Sequence, residues 1–225
     1  MASNPILYGS HTSPTVNAVV ITFKALNVDY EFREVKPLKG ENQTQEYLRK
    51  NPTGTIPALE TEDHKFIGDS HVITAYLVDR YAPNDSLYPK DLYKRAKVQQ
   101  LQHFSNNVLF TNCVKAAYAP IFARLKTTVP EEILANFDFA YATLERFLEQ
   151  NKWVAGDQIT VADFNCITSV VSMKSLRPVT KEKYPLIYDW INRMLDIPYV
   201  AETFNSEAMQ SSRRFLNKQM AKSNL

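Results

Sequence analysis

The sequence predicts an α/β unit followed by an all-helical domain, and three features of the chain predict it. Short apolar runs of strand character are confined to the first eighty or so residues, where they alternate with segments of helical periodicity. A stretch rich in proline and turn formers, YAPNDSLYPKD, follows at 81–91. Beyond it strand signals nearly vanish, and apolar residues recur at three- and four-residue spacing. The expected boundaries are 1–82 for the α/β unit, 83–90 for the linker and 91–225 for the helical part.

The elements follow in order. ILY at 6–8, bounded by Pro5 and Gly9, reads as a short buried strand. In SPTVNAVVITFKALNV, Val16, Val19, Val20, Phe23 and Leu26 share one helical face, with Ser13 as N-cap and Pro14 in the first turn. YEFREV at 30–35 alternates as a strand, and TQEYLRK at 44–50 suits a short helix. ALE (58–60) and KFI (65–67) flank the polar TEDH and read as a hairpin. DSHVITAYLVDRY at 69–81 is a helix capped by Asp69 or Ser70.

In the second half, a long helical pattern from residue 94 is expected to bend or end at Pro120. The segment 129–150 opens with Pro130 and two acids, which suit a helix N-terminus. At 160–173, Thr160 and Asp163 have capping-box spacing, with aspartate in place of glutamate. YPLIYDWINRML at 184–195 is a further amphipathic helix.

Composition narrows the function. The 225 residues carry 26 basic and 24 acidic side chains, a formal charge of +2 that gives no long-range field for nucleic acid. Cys113 and Cys166 are too far apart for a metal pair or a CxxC redox motif, so both are expected reduced and buried. No apolar run approaches the ~20 residues needed to span a bilayer. The opening MASNPILYGS has neither a basic stretch nor an apolar core of a secretion signal, which makes the cytoplasm the expected compartment.

Four fragments in this order, ILYGSHTSPTVNAV, EYLRKNPTGTIPAL, GDSHVITAYLVDRYAPNDSLYPKD and WVAGDQITVADF, resemble the cytosolic glutathione transferases, most nearly their insect delta and epsilon classes. The resemblance implies a thioredoxin-like N-terminal domain that binds glutathione, and a helical domain that supplies a hydrophobic acceptor pocket. It explains a second proline at the start of a strand: Pro57 would follow a cis bond that turns the Ile56 backbone outward to pair with the cysteinyl part of glutathione. Gly54 and Thr55 belong to the same loop. Asp69, Ser70 and His71 would open the third helix around the γ-glutamyl group, the N–H groups and the Ser70 hydroxyl toward its carboxylate and Asp69 toward its ammonium.

Ser13 is the implied catalytic residue, donating a hydrogen bond to the thiolate. A free thiol has a pKa of about 8.5–9, and lowering it by ~2 units requires ~2.7 kcal/mol. A hydrogen bond to a charged acceptor contributes ~1.5–3 kcal/mol and a helix N-terminus ~0.3–1, so the two together suffice. Ser13 is equally well placed as a plain N-cap, and Tyr8 stays open as the rival donor, with Ser10, His11 and Thr12 nearby.

The chain departs from the epsilon pattern at four places: Gly54 and Asn42 stand where loop histidines are usual, Asn112 where a basic residue is, and Asn17 where an arginine follows the SP motif. Two or three such losses without replacement would weaken glutathione binding by ten- to roughly a thousandfold. The acceptor pocket is expected between the domains, against His11, Thr12 and the fourth helix, where Phe110, Asn112, Cys113, Val114, Ala117, Tyr118 and Ile121 are candidates. Phe204, Met209 and Phe215 would form a lid. The resemblance implies a homodimer that conjugates glutathione to apolar electrophiles in detoxification of plant chemicals or insecticides, without a metal. A carrier of apolar ligands, and a glutathione-dependent peroxidase or isomerase, are the alternatives.

Overall fold

The computed structural model describes residues 4–221. Four strands, β1 (Ile6–Gly9), β2 (Glu31–Glu34), β3 (Ala58–Glu60) and β4 (Phe66–Gly68), form one sheet in the order β2-β1-β3-β4. β1 runs parallel to β2, with Leu7 opposite Phe32, and antiparallel to β3, with Leu7 opposite Leu59. The parallel pair needs a crossover, which α1 (Pro14–Leu26) supplies. The antiparallel β3–β4 pair closes as the hairpin expected around TEDH.

Period-two alternation sends successive residues to opposite faces. Leu7 and Leu59 pack on Val16, Val19, Val20 and Phe23 of α1 and on Ile73 and Leu77 of α3 (Ser70–Tyr81). Tyr8 and Ala58 face the other way, toward Val35 and toward Tyr47 of α2 (Gln45–Lys50). Thr44 caps α2 by accepting from the Tyr47 N–H at 3.3 Å. Two 3₁₀ turns at Pro37–Lys39 and Glu41–Gln43, which the sequence pattern did not reveal, carry the chain into that cap.

The rest of the described chain is helical: α4 (Leu92–Phe104), a π-helical stretch at Ser105–Lys115, α5 (Ala116–Phe122), α6 (Glu131–Leu148), α7 (Val161–Met173), α8 (Pro185–Leu195), α9 (Pro198–Asn205) and α10 (Glu207–Ala221). Pro120 ends the long pattern as expected, two residues before α5 stops. Its carbonyl then accepts from the N–H groups of Leu125 and Lys126 at 2.8 and 3.2 Å.

Buried α7 packs against α1 and so joins the helical layer to the sheet. Its start is held by Asp163, which is wholly buried and accepts from the N–H groups of Val154 (3.0 Å) and Thr160 (2.9 Å) and from the Trp190 indole (2.9 Å). Burial nevertheless raises its carboxyl to about 6, against the pull of those donors. Cys113 and Cys166 are both free and buried.

Candidate active site

Ser13 stands at the head of α1, and its carbonyl accepts from the Asn17 N–H at 3.0 Å, as an N-cap residue's does. Its hydroxyl makes no capping bond. Pro14 removes the first orphan donor of the helix, and the Ser13 Oγ turns instead to Thr15 Oγ1, 2.9 Å away. Thr15 donates onward to the Ile56 carbonyl at 3.3 Å. Thr15 has one hydroxyl proton and spends it on Ile56, so Ser13 is the donor of the pair.

Tyr8 is committed elsewhere. Its hydroxyl donates to Glu60 Oε2 at 2.7 Å and accepts from Arg33 at 2.9 Å, on the sheet face opposite α1. Burial and then the Glu60 carboxylate push its ionisation up to about 12. With its one proton given to Glu60, this hydroxyl has none left to offer a thiolate. His11 stacks on Phe32 with ring centroids 3.8 Å apart, and burial lowers its pKa. Ser10 and Thr12 hydroxyls bond to each other at 3.1 Å.

The Ile56–Pro57 peptide is cis, and the Ile56 N–H has no acceptor among the described residues. The loop before it is held by amides. Asn42 Nδ2 and Gln43 Nε2 donate to the Gly54 carbonyl at 2.6 and 3.0 Å, and Asn51 Nδ2 and the Tyr47 hydroxyl each donate to the Thr55 carbonyl at 2.7 Å. Gly54 lies at φ +61°, and a Cβ there would meet Gln43 Nε2 at 2.6 Å. A histidine here would have to adopt this left-handed φ and displace the end of the Gln43 side chain. The two loop departures thus touch each other, Asn42 and Gln43 bracing a glycine turn.

Asp69 caps α3 from a left-handed backbone (φ 72°), accepting from the His71 and Val72 N–H groups at 2.8 and 3.4 Å. The His71 ring, its Nδ1 at 3.2 Å from the same oxygen, is the main cause of a carboxyl depressed to about 2. Ser70 is buried, with its hydroxyl and N–H unpartnered among the described residues. The helix start thus offers two spare donors beside one fixed anion, matched to an amino-acid zwitterion. The strained φ of a non-glycine residue adjoins this site.

A narrow half-open cleft of about 460 Å³, counting the space at its mouth, runs beside the Ser13 end of α1. Thr12 and Pro14 close one end, Val114, Tyr118 and Phe122 form one wall, and Met209, Arg213 and Leu216 of α10 another. The lining differs from the expected one. Cys113, Ala117 and Ile121 are buried in the helical core, with the Cys113 thiol pushed up to about 12, and Phe110 packs against that core. Asn112 is exposed, and its carbonyl accepts from Asn136 of α6 at 3.4 Å. The wider π turns at Ser105–Lys115 rotate the face that a regular 3.6 period assigns, leaving Val114 and Tyr118 on the cleft.

Phe204 is likewise buried, in α9, and is not among the residues lining this cleft, and His11 stacks on β2 instead. Phe215 reaches the cleft indirectly by stacking on Phe122 at 5.7 Å. Buried Asn17, at the usual arginine position, donates to the His11 carbonyl at 2.9 Å and lies 3.4 Å from Met209 Sδ, pinning α10 to the site loop. Thr15, Gln43 and Arg213 escaped the sequence analysis. Only a second hydroxyl after SP signalled the first; the others needed coordinates.

Among the described residues no group of three or more His, Cys, Asp or Glu side chains could hold a metal, and no helix is long and apolar enough to cross a membrane. Residues 7–85 match the family model "Glutathione S-transferase, N-terminal domain", and residues 111–198 match "Glutathione S-transferase, C-terminal domain". The chain is 35% identical over 189 residues to glutathione S-transferase 1 of Manduca sexta, covering 83% of this chain and 86% of that one. Isozyme E7 of Drosophila melanogaster superposes with a TM-score of 0.91 at 42% identity, over 96% of this chain and 97% of that one. A Drosophila mojavensis glutathione transferase homolog with bound glutathione gives 0.90 at 41% identity, over 96% and 97%.

Proposed function

The chain belongs to the glutathione S-transferase family, and on that premise we propose that it binds glutathione between the Ile56–Pro57 turn and the start of α3, ionises the thiol against Ser13, and joins the sulfur to apolar electrophiles in the cleft beneath α10. The observation that carries this reading is the Ser13 hydroxyl, which does not cap its own helix while the Tyr8 hydroxyl is tied to Glu60.

In this mechanism the unpaired Ile56 N–H receives the cysteinyl backbone of glutathione in strand fashion. Asp69 faces the γ-glutamyl ammonium, and Ser70 gives its N–H and hydroxyl to the carboxylate. With the tripeptide held, its thiol loses a proton to water, and Ser13 turns its hydroxyl from Thr15 to the sulfur anion. Ser13 acts as a donor and exchanges no covalent bond. The thiolate then attacks an electrophilic carbon lying along Thr12, Tyr118 and Met209.

The division at the 83–90 linker, a homodimer through α3 and α4, and a cytoplasmic role in removing apolar foreign compounds, insecticides among them, complete the proposal. Val72 of α3, 54% exposed, and Tyr93 of α4, 75% exposed, are apolar surface available to such a dimer. Steady-state turnover of chlorodinitrobenzene tests the reading. Ser13→Ala should lower kcat/KM by about ten- to a hundredfold, the worth of one charge-assisted hydrogen bond. Unchanged turnover in that variant would remove the serine mechanism. Wild-type protein that binds apolar dyes but turns over no electrophile would be a carrier.

A further inference from the structure

The cleft beneath α10 is walled mostly by apolar and hydroxyl side chains, and Arg213 alone among its lining residues carries a charge. Ser172, Ser175 and Ser212 put hydroxyl groups into the same lining. Arg213 makes no ion pair or hydrogen bond with any described residue, whereas Arg214 beside it donates to Ser211 at 2.8 Å. Some other cations have carboxylates: Arg177 meets Asp138, Arg95 meets Asp79, and Lys24 meets Glu202.

A second cation, Lys174, follows the end of α7 within range of the Arg213 charge. Partial burial, and then the Arg213 charge, push the Lys174 ammonium below the usual lysine range. Lys174 has no carboxylate partner among the described residues either. Arg213 on the cleft wall and Lys174 near it have no counter-ion among the described residues, and an anion held at Arg213 would also feel the Lys174 charge.

Distance along the helix fits an elongated ligand. Met209 lies at the Ser13 end, fastened to Asn17, and Arg213 follows one helical turn later, on the order of 6 Å along the axis. We propose that the cleft selects slim apolar electrophiles that carry a carboxylate, the reactive carbon lying at the Ser13 end and the acid group held by Arg213 and Lys174. The chemistry rests on the transferase reading above; the anion site does not.

An α,β-unsaturated ketone acid illustrates the step. The glutathione sulfur forms a bond to the β-carbon, and the carbon–carbon π pair moves to give an enolate. The α-carbon then takes a proton from water, replacing the one the thiol released. Nothing is oxidised and no group leaves. The remote carboxylate is unchanged.

Two measurements separate the claims. The first is calorimetric titration, without glutathione, of decanoate and of its methyl ester into the wild-type protein and the double variant R213A/K174A. Both side chains are exposed, so the variant should keep its fold, checked by thermal melting. The wild type should hold the carboxylate about tenfold tighter than the ester, the double variant should hold both within about twofold, and R213K should keep part of the preference.

The second measurement is glutathione addition to ethacrynic acid and to its methyl ester. The acid-to-ester ratio of kcat/KM should be about tenfold in the wild type and near one in the double variant. Equal wild-type affinity for decanoate and its ester, or a preference that survives the double substitution, overturns the proposal. Loss of turnover for both acceptors with the binding preference intact defeats the transferase reading and leaves the anion site standing. Turnover of both acceptors without discrimination does the reverse.

Discussion

The Ser13 and Thr15 hydroxyls lie 2.9 Å apart, and Thr15 passes its own proton to the Ile56 carbonyl 3.3 Å away. The hydroxyl that would stabilise a thiolate therefore has a local acceptor to leave. Thr15→Val removes that competitor, so the apparent thiol pKa read from the pH dependence of kcat/KM should fall by up to about one unit. Ser13→Ala should move the same midpoint upward, toward the ~8.5–9 of a free thiol. A midpoint that rises in Thr15→Val would mean that Thr15 donates to Ser13.

Gly54→Ala should destabilise the loop by about 1–3 kcal/mol, since it combines a left-handed φ of +61° with a Cβ only 2.6 Å from Gln43 Nε2. Glutathione affinity should fall with stability, because Gly54 precedes the Ile56 backbone by two residues. Restoring only the usual histidine, Gly54→His, should be worse than alanine rather than better. Thermal melting and glutathione titration of the two variants would check this.

The Asp69 carboxyl, held to about 2 chiefly by His71, should stay ionised throughout the working range. Its folded pKa lies below the ordinary value of 3.8, so its contribution to stability is present above 3.8 and is lost as pH falls through about 2. His71→Ala removes the leading cause and should bring the midpoint up toward 3.8. Carbon-13 NMR titration of the Asp69 side chain reads both; a wild-type midpoint at the ordinary value would contradict the geometry.

Asp163 has the opposite sign. With its folded pKa raised to about 6 from 3.8, its contribution is fully present below 3.8 and declines as pH rises through 6. Asp163→Ala would orphan the Trp190 indole and the Val154 and Thr160 N–H groups at the start of α7, at a cost of roughly 3–5 kcal/mol. Denaturant unfolding of that variant should show the loss, and Asp163→Asn should flatten the slope of stability between those two pH values.

Local signals made the sheet and the early helices legible. Alternation around Leu7 and Leu59, the Thr44 cap and the Ser-Pro start of α1 each act within a few residues. The π-helical stretch was not legible, because its wider turn changes which side chains share a face without changing which are apolar. That is why Cys113 reads as a wall and proves to be core. Around the site, Ser13, Ile56 and Ser70 could be placed by motif. The brace of Asn42 and Gln43 on Gly54, the Thr15 bridge and the unpaired Arg213 arise from segments distant in sequence, and no local pattern encodes them.

Thiol activation at Ser13 is the centre of this account, and ultraviolet titration of thiolate absorbance in the glutathione complex measures it most directly. The wild-type complex should ionise about two units below free glutathione, and the Ser13→Ala complex close to the free value. A wild-type midpoint that stays at about 8.5–9, or one that Ser13→Ala leaves in place, would contradict it.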